Sequence, residues 1–234
     1  MPPLHFSGPI RRPAATLLLA LGCSATWADR PLVSETADVI GAGQCQVETG
    51  LARISASAAA GATAADVLGS CGVAGHSQFG LSLGRVRQAG ATDLSLGLGG
   101  KTTLKMPQDG AIGYALAYGI SSEKAAGQGW RHGSTRLFGV ATKELARSLL
   151  GHLNLGWLRT DSSRLNSTTW SLGMEGEGGL RWAADVYGDD RNRPWASAGL
   201  LMALTDKLSA NLAYAQQFDN PRVRQWTLGF KFEL

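Results

Sequence analysis

No segment of the chain is apolar for long enough to cross a bilayer as a helix, which takes roughly 20 such residues. The stretch from Ala14 to Leu21 falls far short and nothing later approaches it. Cysteine is scarce, with three in 234 residues, and no Cys or His group has the spacing of metal ligands. No metal site and no cofactor are therefore expected. Charge is thin, at 17 % of residues, with Lys and Arg scattered singly apart from short groupings such as Arg191 and Arg193. Nothing in that distribution offers a basic face to nucleic acid. Gly-rich stretches such as Gly97 to Gly100 lie in predicted strands and precede no predicted helix, so they do not read as phosphate loops.

What the chain has in quantity is alternation. From Arg224 to Leu234, Trp226, Leu228, Phe230, Phe232 and Leu234 fall on one side, and Gln225, Thr227, Gly229, Lys231 and Glu233 on the other. Strand side chains point to opposite faces with a period of two, so this segment has one apolar and one polar face. At the other end, Arg11 and Arg12 precede the apolar stretch and a small-residue site at Thr26, Trp27 and Ala28. This pattern predicts a signal peptide over 1–28, cleaved after Ala28. Leu21, Gly22 and Cys23 resemble a lipoprotein processing site, although Ala20 stands where such sites usually carry Leu. Loss of 1–28 removes two arginines and no acid, taking the formal charge from +4 to +2.

With 31 glycines and a mean hydropathy of −0.04, the composition suits a barrel whose lipid-facing and lumen-facing residues average out. A soluble β-sandwich could share it. Strand counting favours the barrel. Twelve segments alternate between turn signals: Gly43 to Ser55, Asp66 to Ala74, Ser77 to Arg87, Thr92 to Leu104, Ala111 to Ser121, Ser134 to Lys143, Gly151 to Thr160, Thr168 to Glu177, Leu180 to Gly188, Trp195 to Leu204, Lys207 to Gln216 and Arg224 to Leu234. In the sixth, Phe138 and Val140 are assigned to the apolar face; in the tenth, both faces are mostly apolar.

An even strand number puts both termini on one, periplasmic, side, with short turns there and longer loops outside. Gly75-His76 and Thr205-Asp206 read as tight periplasmic turns; Ala56 to Ala65, Ser122 to Gly133, Asp161 to Ser167 and Asp189 to Pro194 read as outer loops. The exception is Lys105 to Gly110, a longer periplasmic link. On this threading Trp157, Trp170 and Trp226 reach one depth near the outer rim, as an aromatic girdle would.

The mature start carries Arg30, Pro31 and Leu32, then Ala37 and Asp38, Gly43, and Gln46 with Glu48. Further on come His152 to Trp157, after Lys143 to Leu145, and the ending Trp226 to Gly229. In these features the chain resembles the outer-membrane family named after the meta-pathway of phenol degradation. It departs in ending on Leu234, where such barrels usually carry Phe. The resemblance implies an outer-membrane barrel of transport function and supplies no catalytic or ligand residues.

Barrels of eight strands are filled by side chains, whereas sixteen or more leave a channel. Twelve predicts a narrow lumen, lined by Glu48, Gln78, Lys101, His152, Asn154, Glu175, Arg181, Asp185 and Lys231. Both signs are present, so these groups form either a structural network of ion pairs or a substrate-selective ring. The irregular segment 29–42 either enters the lumen as a plug or hangs as a periplasmic tail, ahead of a barrel over 43–234. Cys45 and Cys71, on neighbouring predicted strands with matching parity, are either a disulfide or two small residues on the lipid face. For catalysis, only His132, near Ser121, Ser122 and Glu123, could join a rim site.

The expectation is an all-β, twelve-stranded, antiparallel up-and-down outer-membrane barrel and not an enzyme: a passive route for a small, hydrophobic or aromatic solute. Its partners are outer-membrane lipids and, through the C-terminal strand, the assembly machinery. The alternatives are a lipid-modifying or hydrolytic barrel enzyme and a non-transporting structural or adhesive barrel.

Overall fold

The computed structural model describes residues 32–56, 59–73, 75–108, 110–161, 163–178, 180–218 and 223–234. The predicted signal peptide, with Cys23, lies outside them. Twelve strands follow in order: β1 Cys45–Ala56, β2 Ala59–Val73, β3 Ser77–Gln88, β4 Ala91–Lys105, β5 Gly113–Lys124, β6 Arg131–Ala146, β7 Leu149–Thr160, β8 Leu165–Gly176, β9 Arg181–Asp189, β10 Trp195–Ala203, β11 Leu208–Gln217 and β12 Val223–Glu233.

Each strand pairs with its sequence neighbour, and β1 pairs with β12 from Gln46↔Glu233 to Ala56↔Val223, so the sheet closes into a barrel. Closure leaves no sheet edge, and the outer face can be oily because every ladder bond is satisfied within the ring. That face carries Leu81, Leu98, Leu153, Leu172, Leu212 and Leu228, all exposed. The inner face carries buried polar residues such as Gln78, Asn154 and Asp185.

Ala56 to Ala65 is not a loop: β2 begins at Ala59, and its alanine-rich start gave too little contrast between faces to be read. The rule of short turns at one end and long loops at the other does not hold. The longest inter-strand stretch, 106–112, lies at the end that carries the termini, while Ala89 and Gly90, at φ 49° and 82°, make a two-residue turn at the other. In β6 the faces are reversed: Val140 is buried and packs inward with Phe138, while Leu137 faces out. Between Leu137 and Leu145 the outward side of β6 carries only Gly139, Ala141 and Lys143, so in mid-strand the larger apolar side chains sit inside. In β10, Trp195 and Gly199 are buried while Leu200 and Met202 face out.

Candidate functional site: the lumen and its N-terminal segment

Residues 32–42 form no strand; they cross the lumen near the end of the barrel that carries the termini. Leu32, Ser34, Glu35, Thr36 and Ala37 are buried there. A backbone without strand partners must satisfy its N–H groups elsewhere, and inward side chains of successive strands do so. The amides of Val33 and Ser34 donate to Asp185 Oδ2 on β9 at 2.6 and 3.0 Å. That of Glu35 donates to Asn154 Oδ1 on β7 at 2.7 Å, and Asn154 Nδ2 returns a bond to Glu35 O at 3.1 Å. The amide of Ala37 donates to Thr142 Oγ1 on β6 at 2.8 Å, and Thr103 Oγ1 on β4 donates to Ala37 O at 2.6 Å. Finally, the amide of Ile40 donates to Gln78 Oε1 on β3 at 2.9 Å.

An ion pair between Lys101 and Glu35 joins this ladder. Lys101 Nζ on β4 lies 3.2 Å from Glu35 Oε2, with side-chain exposures of 4 % and 1 %. Other groups hold the acceptors in place: Ser171 Oγ donates to Asn154 Oδ1 at 2.7 Å, and Ser197 donates to Asp185. His152 Nδ1 is 3.1 Å from Thr142 Oγ1, and its Nε2 is 3.4 Å from Glu175 Oε1. A small apolar cluster of Ala37, Ala115, Ala117 and Val140, with Phe138 against it, packs the middle of the segment.

Two glycines give the segment room. A Cβ on Gly72 would stand 2.2 Å from the carbonyl oxygens of both Ile40 and Gly41, and one on Gly173 would stand 2.7 Å from Ser34 Oγ. At Gly72 the segment bridges to β2 through Ala42, and Gly43 N donates to Gly72 O at 3.0 Å. Beside this point Cys45 and Cys71 are opposite each other and disulfide-bonded.

Of the residues proposed from sequence as lumen lining, Gln78, Lys101, Asn154 and Asp185 touch the segment directly, and His152 does so through Thr142. Glu48 is buried and accepts from Gln46 Nε2 at 2.7 Å, and Lys231 lies 3.5 Å from Glu233 at a half-buried position. Arg181 shares the inward parity of Asp185 but does not reach the segment. It is exposed at the rim, 2.9 Å from Glu177, because β9 starts there. The segment's own Glu35, and Thr103 and Thr142, were missed: an irregular stretch has no periodicity to read, and threonine suits either face of a strand.

Towards the other end the lumen is lined differently. Tyr187 and Trp195 sit opposite each other on β9 and β10 and stack with centroids 6.3 Å apart. Trp157, Trp170 and Trp226 face outward at this end, with Tyr214 against Trp226 at 4.9 Å. His132 pairs with Ser122 across β5 and β6, but its Nε2 is bonded to Thr135 Oγ1 at 3.1 Å, and Ser121 bonds Ser134 instead. The serines and the imidazole are therefore not joined.

The chain belongs to the family described as uncharacterised conserved protein UCP029691, whose model matches residues 16–233. No curated protein matches the sequence. Among solved structures, the KdgM porin has a similar fold, with TM-score 0.55 and 9 % identity over 79 % of this chain and 98 % of that one. The COG4313 outer membrane channel from Pseudomonas putida F1 matches with TM-score 0.54 and 11 % identity over 85 % and 98 %. Outer membrane phospholipase A from Escherichia coli matches with TM-score 0.51 and 12 % identity over 87 % and 93 %. At such identities the likeness is one of fold.

Proposed function

We propose that this member of the UCP029691 family is an outer-membrane barrel that passes small solutes passively, its bore set by the N-terminal segment crossing the lumen. The observation that carries the reading is the hydrogen-bonded ladder itself. An apolar outer wall encloses an interior whose contents are held by polar side chains, the arrangement of a lumen occupied by a hydrogen-bonded segment and not of an apolar core. Porins and a channel among the similar folds support the same reading, as does the exported, outer-membrane setting that the N-terminal sequence implies. The half-buried Tyr187, stacked on the buried Trp195, adds an aromatic lining inside the lumen, which favours aromatic or apolar solutes and agrees with the resemblance to the phenol meta-pathway family.

Conductance in planar bilayers tests this. The mature chain is expected to give small unitary currents, and deletion of residues 32–41 to enlarge them severalfold. Absence of current in both proteins, each shown to be folded by its heat-sensitive gel mobility, would rule the channel out. An enzyme is not favoured, because His132 is bonded to Thr135 and not to a serine.

A further inference from the structure

Five basic residues that are spread along the sequence come together on the outer face of the barrel. Directly paired residues of antiparallel strands share a face, so the register can be followed around the wall. Arg53 on β1 pairs with Trp226 on β12 and with Thr63 on β2, and Thr63 pairs with Arg87 on β3. Arg224 is one outward position beyond Trp226, and Arg85 one before Arg87. Arg85 pairs with Leu94 on β4, which pairs with Lys124 on β5. All five cations are exposed. None is ion-paired with an acid among the described residues. The outward positions of β12 and β1 to β5 hold no Asp or Glu: Glu48, Asp66, Asp93, Glu123 and Glu233 all fall on the inward parity.

The arc lies at the boundary where the apolar wall ends. Arg53 stands beside Trp226, and Leu94 separates Arg85 from Lys124. Below them come Leu51, Leu83, Leu96 and Leu228, all exposed. Aromatic rings mark headgroup depth in a membrane, and cations at that depth attract anionic headgroups. Four of the five are arginines, whose planar fork matches phosphate oxygens in a bidentate way. We infer that the arc of Arg53, Arg85, Arg87, Lys124 and Arg224 binds the phosphate groups of lipids in the leaflet at the end of the barrel opposite the termini, on the outer wall and apart from the lumen.

Native mass spectrometry of the refolded chain in neutral detergent tests this, with diphosphorylated lipid A and zwitterionic phosphatidylethanolamine as competing probes. Wild type is expected to retain lipid A over phosphatidylethanolamine by at least about tenfold, and to lose that preference with rising ammonium acetate. The quadruple variant R53Q/R85Q/R87Q/R224Q is expected to lose it at low salt, whereas R191Q/R193Q, in a loop outside the arc, retains it. Displacement by millimolar inorganic phosphate alone would show a site for free phosphate and overturn the lipid assignment. Equal retention of the two lipids by wild type, or an unchanged preference in the quadruple variant, would overturn the site. Should the quadruple variant not fold, the salt and competition arms on wild type still decide.

Discussion

Lys101 and Glu35 form an ion pair between the barrel wall and the segment that crosses it, 3.2 Å apart and almost wholly buried. Removing one partner of such a pair leaves a charge in a poorly hydrated place, at a cost of roughly 3–5 kcal/mol. Lys101→Met is therefore expected to loosen the segment and raise unitary conductance, while Glu35→Leu combined with Lys101→Met recovers part of the loss. Conductance and the temperature of the gel-mobility transition read both effects. Equal behaviour of wild type and Lys101→Met would show that the pair does not hold the segment.

Asp185 gathers two backbone amides and two hydroxyls at one carboxylate. Asp185→Ala strands those donors, each worth about 1–3 kcal/mol when left buried and unpaired. Faster hydrogen exchange at Val33 and Ser34 is the expected outcome, with the barrel amides of β1 and β12 unchanged. Protection that falls equally across all strands would mean the residue supports the barrel and not the segment.

Gly72 is where the segment passes closest to the wall. Gly72→Ala puts a methyl within 2.2 Å of two carbonyl oxygens of the segment, which belong to backbone and cannot swing aside. The expected result is a folded barrel with an increased conductance, close to that of the deletion of 32–41. Gly69→Ala, where a Cβ meets nothing within 4 Å, serves as the control.

The Cys45–Cys71 disulfide joins the first hairpin next to the segment's exit. Its sequence separation of 26 suggests about 2–4 kcal/mol of stabilisation from chain restriction. Reduction, or the double Cys→Ser variant, should lower the gel-mobility transition by several degrees. No change in the transition would place the hairpin's stability wholly in its strand pairing.

Trp157, Trp170 and Trp226 face outward, whereas Trp195 is buried on the lumen side. Lipids brominated near the headgroup should quench the first three, and Phe replacement of each should reduce the quenchable fraction by a similar amount. Trp195→Phe should leave that fraction unchanged. Strong quenching of Trp195 would contradict its position.

Much of the wall was legible. The strands with bulky leucines and aromatics on one parity, such as β3, β5 and β12, could be read at once because lipid selects large apolar groups and the lumen rejects them. Strands built from small residues could not. β2 begins in alanine and glycine, and β6 presents Gly139 and Ala141 to the outside while Phe138 and Val140 pack inward on Ala37, so apolarity pointed to the wrong face. The lumen polar residues Gln78, Lys101, Asn154 and Asp185 could be found by parity. Their partners could not, since those lie in a segment with no period.

Period-two alternation is a local property, so the sequence by itself determined a succession of strands with one oily and one polar face, while closure of the ring is the pairing of β1 with β12. The tertiary structure alone decided where residues 32–42 go, because their amides had to find acceptors and those are supplied by strands far away along the chain. It also decided that cations spaced singly in sequence stand side by side. Pairing of β1 with β12 brings Arg53 next to Trp226 and close to Arg224, a proximity that only ring closure creates.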